Sequence, residues 1–145
     1  MILYLIPARG GSKRLSGKNL RKLAGIPLVA WAIRRAQGAA RLVGGESRIV
    51  VSTDSEEIAA VSREWGVEVV MRPAEFATDE SAVEDAAKHA LLSAGAGCQA
   101  VVLVQPTSPL VLPLDLAVLV RWWRESRGAV MYGSDVWTPT GAGYV

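Results

Sequence analysis

Short apolar runs alternate along this chain with segments of helical period, and that alternation leaves few folds open to it. The runs at residues 1–6, 48–52, 67–71, 100–104 and 129–132 have strand length. Between the first two, Pro27 stands at a favoured first-turn position. Leu28, Trp31, Ala32, Arg35 and Ala36 then follow helical spacing, and Gly44-Gly45 ends the segment. Thr53-Asp54-Ser55-Glu56 and Ser81-Ala82-Val83-Glu84 read as capping boxes opening two further helices, stopped at Gly66 and Gly95. A fourth helix starts at Pro113 or Asp115 and runs through Leu116, Leu119, Val120 and Trp123 to Gly128; residues 141–145 are a candidate last strand. The order predicts one three-layer α/β/α domain over residues 1–145 with a mainly parallel sheet. The run at 100–104 is the most apolar and predicts a central parallel strand.

In such sheets ligands sit beyond the carboxyl ends of the strands. The loops there are residues 7–19, 52–55, 72–79, 105–110 and 133–140, the segments richest in polar residues, Pro and Gly. The first sets Pro7, Ala8, Arg9, Gly10, Gly11, Ser12 and Lys13 directly after the first strand, then Arg14, Gly17, Lys18 and Asn19. Backbone N–H groups in a glycine-rich turn converge on an anion, and the Lys and Arg side chains add charge, which predicts a polyphosphate site. It is not a Walker A loop, because Asn19 follows Gly17-Lys18 and Ser12 stands at the first Gly position. Nor does the chain carry Gly-x-Gly-x-x-Gly after the first strand. P-loop hydrolysis and dinucleotide binding both lose their signature.

Charge supports the same reading. The net charge is +2, but residues 1–45 hold nine Lys and Arg and no acid. The first carboxylate is Glu46, and residues 46–145 hold all fourteen acids against seven bases. Segregation of this kind makes a local field that steers anions. The basic part carries only Tyr4 and Trp31 as aromatics, both in predicted regular elements, which argues against a nucleic-acid surface built on base stacking. One cysteine, Cys98, excludes a disulfide framework and a multi-cysteine zinc site, and fits a reducing cytoplasm. The first apolar run is too short for a signal peptide or a membrane span. His89, mid-helix, and the pair Trp122-Trp123 read as packing residues.

The stretch from Ile6 through Pro7-Ala8-Arg9-Gly10-Gly11-Ser12-Lys13-Arg14-Leu15 to Gly17-Lys18-Asn19-Leu20 resembles the signature of CTP-dependent cytidylyltransferases typified by CMP-sialic acid synthetase. Four later segments agree in order: Leu23-Ala24-Gly25-Ile26-Pro27-Leu28, Val50-Val51-Ser52-Thr53-Asp54, Arg72-Pro73-Ala74-Glu75-Phe76-Ala77-Thr78-Asp79, and Gln105-Pro106-Thr107-Ser108-Pro109-Leu110. The resemblance implies a Rossmann-like nucleotide-diphospho-sugar transferase-like fold and transfer of CMP from CTP to an acidic acceptor, with pyrophosphate leaving. It implies that Arg9, Lys13 and Lys18 stabilise the developing phosphate charge. It assigns Asn19 and Arg72 to the cytosine ring, Ser81 to the nucleotide, and Gln105, Thr107 and Ser108 to the acceptor. A sugar-1-phosphate nucleotidyltransferase would carry a Gly-x-Gly-(Thr/Ser)-Arg loop, unlike Gly10-Gly11-Ser12-Lys13.

The last 35 residues depart most from that family. The family's late Asp pair, which binds metal, has no counterpart. Mg²⁺ on CTP is the default cofactor, with Asp135 the candidate ligand after the fifth strand. The expected arrangement is a domain of a longer fusion polypeptide, or a self-associating unit. Compact domains of this kind occur beside phosphonate-forming enzymes of fosfomycin-type pathways, so the expected acceptor is a small phosphonate such as 2-hydroxyethylphosphonate. The alternatives are a sialic or related sugar acid, and a non-catalytic nucleotide-binding remnant.

Overall fold

A computed structural model describes residues 1–11, 15–73, 83–94 and 96–126. Its main sheet is built around β1 (Ile2–Pro7), where five consecutive residues are buried. β4 (Ser47–Thr53) and β6 (Ala100–Leu103) flank it, and β5 (Glu68–Met71) lies beyond β4. All pairings are parallel, with Leu5 opposite Val50 on one side and Leu103 on the other. The connections are α1 (Leu28–Val43), α2 (Glu56–Glu64) and α3 (Val83–Ala94), and α4 (Pro113–Ser126) follows β6.

The two-residue period of β1 divides the core. Ile2, Tyr4 and Ile6 pack with α1, α2 and α4 on one face, and Leu3 and Leu5 pack with α3 on the other. Helices on both faces of a parallel sheet give the expected α/β layering. Small residues let α1 lie close: Ala32, Ala36 and Ala39 are buried. A Cβ on Gly38 would stand 2.8 Å from the Cβ of Pro113, so glycine here permits the approach of α4.

The 100–104 run forms the expected parallel strand; among the described residues β6 pairs with β1 alone, and Leu103 is exposed. Among the described strands β1 and β4 have a neighbour on each side, and the side chains of β1 are covered on both faces. The cap of α2 is Ser55, not Thr53, since Ser55 Oγ accepts the Ile58 N–H at 3.4 Å. Thr53 stays in the strand, pairing with Met71, so the helix cannot begin there. Between β1 and α1 the chain also forms a hairpin, not expected from its sequence, of β2 (Lys22–Leu23) and β3 (Ile26–Pro27). Its turn residues Ala24 and Gly25 both have positive φ, 50° and 81°, as a type I′ turn requires. The expected strands at 129–132 and 141–145 and the Ser81 cap lie outside the described residues.

Candidate active site

Four loops leave the carboxyl edge of the sheet in the order Arg72 after β5, Asp54 after β4, residues 8–11 after β1, and the 105–108 turn after β6. The chain steps outward from β1 to β4 to β5, then returns to the opposite side of β1 as β6. This reversal is a topological switch point, and the crevice between the β1 and β6 loops is where open α/β sheets bind ligands.

The glycine loop is fastened to its neighbours by backbone groups. Ala8 N–H continues the ladder to Ser52 O at 2.9 Å. Gly10 N–H then donates to Asp54 Oδ1 at 2.8 Å. A Cβ on Gly10 would fall 2.9 Å from Ser55 Cβ, so the loop can press against the start of α2 only with glycine there. The loop returns through Gly17, at φ 62°, into a short 3₁₀ turn over Lys18–Leu20. Asn19 is only 6% exposed, and its Nδ2 donates to Arg9 O at 2.9 Å, closing the loop on itself. Lys18, half-buried, opens the same turn.

Arg72 stands over this junction. Its N–H donates to Thr53 O at 2.7 Å, its side chain is 9% exposed, and its Nε has no hydrogen-bond partner. Burial pushes the guanidinium below the ordinary arginine value; Asp54 opposes that shift and Arg9 adds to it. The edge thus holds a buried guanidinium with one unpaired donor, beside one carboxylate and one further arginine.

On the other side of β1, Gln105 O accepts Ser108 N–H at 3.2 Å and closes a turn with Pro106 at its second position. The turn chemistry of Pro-Thr-Ser-Pro is therefore real, and it leaves Gln105, Thr107 and Ser108 exposed. Thr107 Oγ1 lies 3.4 Å from Gln105 Oε1. Arg35, from the middle of α1, donates Nη2 to the backbone carbonyl oxygen of Gln105 at 2.8 Å, the oxygen that also accepts Ser108 N–H.

The structure thus gathers Pro7, Ala8, Arg9, Gly10, Lys18, Asn19 and Arg72 at one edge, with exposed Gly11 at the end of the described part of the loop. Gln105, Thr107 and Ser108 stand across β1. Ser12, Lys13, Ser81 and Asp135 lie outside the described residues. Two residues at this edge were not assigned from sequence: Asp54, whose motif was visible but whose bond to Gly10 was not, and Arg35, hidden in a helical pattern. No group of three or more His, Cys, Asp and Glu that could hold a metal occurs among the described residues. Asp54, a described carboxylate at this edge, is bonded to Gly10 and lies near Arg72.

A parallel sheet with a glycine- and base-rich loop after its first strand and a switch-point crevice defines a nucleotide-binding α/β protein. The cytidylyltransferase family model matches residues 3–136, and the chain belongs to that family. It is 43% identical over 116 residues to the CMP-N,N'-diacetyllegionaminic acid synthase of Legionella pneumophila, covering 77% of this chain and 48% of that one. With the N-acylneuraminate cytidylyltransferase of Escherichia coli it shares 38% identity over 108 residues, 74% of this chain and 25% of the relative. The 3-deoxy-manno-octulosonate cytidylyltransferase of Chelativorans is 37% identical over 119 residues, 82% and 45%. The chain therefore spans half or less of the length of these curated relatives. A solved CMP:2-keto-3-deoxy-manno-octonic acid synthetase, complexed with CTP, superposes with TM-score 0.73 at 24% identity over 87% of this chain and 48% of that one, a likeness of fold. No described helix is long and apolar enough to cross a membrane.

Proposed function

We propose that this chain carries the nucleotide half of a CTP-dependent cytidylyltransferase, transferring CMP from CTP to an acidic acceptor with release of pyrophosphate. The observation that carries the reading is Arg72. Its buried guanidinium, with Nε unused, stands beside the Asp54–Gly10 junction at the switch-point edge of a chain in the cytidylyltransferase family. A guanidinium donates and never accepts, so it suits the carbonyl and ring-nitrogen edge of cytosine. The exposed Gly11 and the half-buried Lys18 lie on the loop that would take the triphosphate.

In the reaction an acceptor oxygen attacks the α-phosphorus and the bond to the bridging oxygen breaks. Charge grows on the departing pyrophosphate, and positioning with fixed positive groups lowers the barrier. Arg9, Lys13 and Lys18 are the groups proposed for that task. Gln105, Thr107 and Ser108, across the crevice, are proposed to face the acceptor. Mg²⁺ is proposed to ride on the CTP phosphates, and Asp135 remains the proposed protein ligand.

The printed names of the relatives concern sugar acids: an N-acylneuraminate, a legionaminic acid derivative and 3-deoxy-manno-octulosonate. We therefore take a sugar acid as the acceptor class. The 2-hydroxyethylphosphonate expectation draws no support from those names and enters the test as a separate arm. The protein is incubated with Mg²⁺, each of the four NTPs and each of these acids, and pyrophosphate is measured. Release with CTP alone and a sugar acid is expected. CTP-only release with the phosphonate would move the acceptor class. Equal release from several NTPs, or none from any pair, would overturn the transferase reading.

A further inference from the structure

Arg35 is the most deeply buried charged side chain of the described residues that no step above uses. It lies in the middle of α1, is 4% exposed, and makes one hydrogen bond, through Nη2 to Gln105 O. Its Nε and Nη1 are shielded from solvent and have no partner. Burial pushes it below the ordinary arginine value. Holding a guanidinium this way is costly, because its desolvation is repaid by a single bond. An apolar residue would serve a helix packed on a sheet better, as Ala32, Ala36 and Ala39 do on the same helix.

What the cost secures is a particular oxygen. Gln105 O is the first carbonyl of the 105–108 turn and already accepts Ser108 N–H. The last described bond of the neighbouring β1–β6 ladder in this direction is Val104 N–H to Leu5 O at 2.8 Å. Beyond it, among the described residues, Arg35 ties the turn to α1, Pro106 is buried, and Val111 N–H reaches Ser108 O at 3.3 Å. The exposed side chains of Gln105, Thr107 and Ser108 therefore take their direction from an oxygen clamped to α1.

We propose that Arg35 is a positioning residue for the acceptor side of the crevice. It locks the 105–108 turn through the shared Gln105 carbonyl without itself touching a substrate. This rests on the reading of that turn as the acceptor side. A guanidinium clamp also explains why the position is not filled by a shorter residue, since the donor must reach from the helix to the mouth of the sheet.

The test pairs amide exchange with kinetics on the whole chain. Exchange at Ser108 N–H is measured in the wild type, Arg35→Met and Arg35→Lys. Arg35→Met keeps length and apolar bulk but removes the donor. It is expected to speed Ser108 exchange by about tenfold or more, while Ala8 and Val104, in the ladder, change less than about twofold. Arg35→Lys, which keeps a donor on a shorter reach, is expected to recover part of the protection. In turnover with CTP and a sugar acid, Arg35→Met is expected to raise the acceptor KM about tenfold with CTP affinity within twofold of wild type. Unchanged Ser108 exchange in Arg35→Met overturns the clamp. Equal losses in CTP affinity, acceptor KM and ladder protection make the residue structural only and overturn it too. If wild type releases no pyrophosphate with any acid, the transferase reading falls, while the exchange data still decide whether Arg35 holds the turn.

Discussion

Asp54 shows what one side chain does at this edge. Its carboxylate takes the Gly10 N–H at 2.8 Å and, through space, favours the charged form of the buried Arg72. It joins the loop proposed for the triphosphate to the group proposed for the base. Asp54→Asn keeps an oxygen for Gly10 and removes the charge; Asp54→Ala removes both. Hydrogen bonds to charged groups contribute about 1.5–3 kcal/mol, so Asp54→Ala is expected to weaken CTP binding by roughly tenfold or more, measured by calorimetry. Asp54→Asn should lie between the two, and equal affinity in all three proteins would remove Asp54 from the site. Lys18 bears on rate instead. Removing one preorganised donor to developing charge costs on the order of 10²–10³ in rate, so Lys18→Ala is expected to lose at least about tenfold in turnover with an unchanged melting temperature. Near-normal turnover would end its role. Glycines and bases in one loop were enough to point to an anion from sequence. The partners of Asp54 and Arg35 were not legible, since one binds a backbone N–H 44 residues away and the other a carbonyl 70 residues away.

At the scale of elements, most of the alternation survived into the structure because period and punctuation agree: Gly44 and Gly66, both with positive φ, stand where α1 and α2 were expected to stop. What the sequence left open has a common cause. Apolar content does not fix a strand's place in the sheet when helices cover both faces: among the described strands β1, not β6, has a neighbour on each side. Nor can a hydroxyl followed by an acid say which of Thr53 and Ser55 is still held in a ladder. Long-range pairing decides both. A further such tie is Arg48 on β4, which meets Glu68 on β5 through Nε to Oε1 at 3.0 Å and Nη2 to Oε2, and Ala94 O at the end of α3. The hydrogen bond from Arg48 holds the Glu68 carboxyl below the usual carboxylate value, against partial desolvation. A depressed carboxylate contributes stability above its unfolded value, near 4.3, and loses it as the pH falls through the lower folded value. Wild type is therefore expected to melt above Glu68→Gln at pH 7, with the gap closing below about pH 4. A gap that is constant from pH 7 to pH 3 would show that the ion pair does not set it.

For the whole molecule the governing fact is where charge lies along the chain. Nine bases and no acid occupy residues 1–45, and the fold puts the end of β1, with its basic loop, at the switch-point edge. Asp54 is brought there by β4, the element that follows the acid-free part, and it is engaged by Gly10. Among the described loop residues at this edge, Arg9, Lys18 and Arg72 stand against one carboxylate, Asp54, and that one is engaged by Gly10. The field of such a set acts on the phosphates of a ligand and hardly on its base. Salt should separate the two contributions, because the Debye length falls from about 10 Å at 0.1 M to about 3 Å at 1 M. Over that range CTP affinity is expected to drop several-fold more than cytidine affinity, with CMP between them. Equal salt dependence for the three would mean that the basic loop does not face the phosphates. Binding would then rest on Arg72 and the base alone, and the charge segregation of the chain would need another explanation.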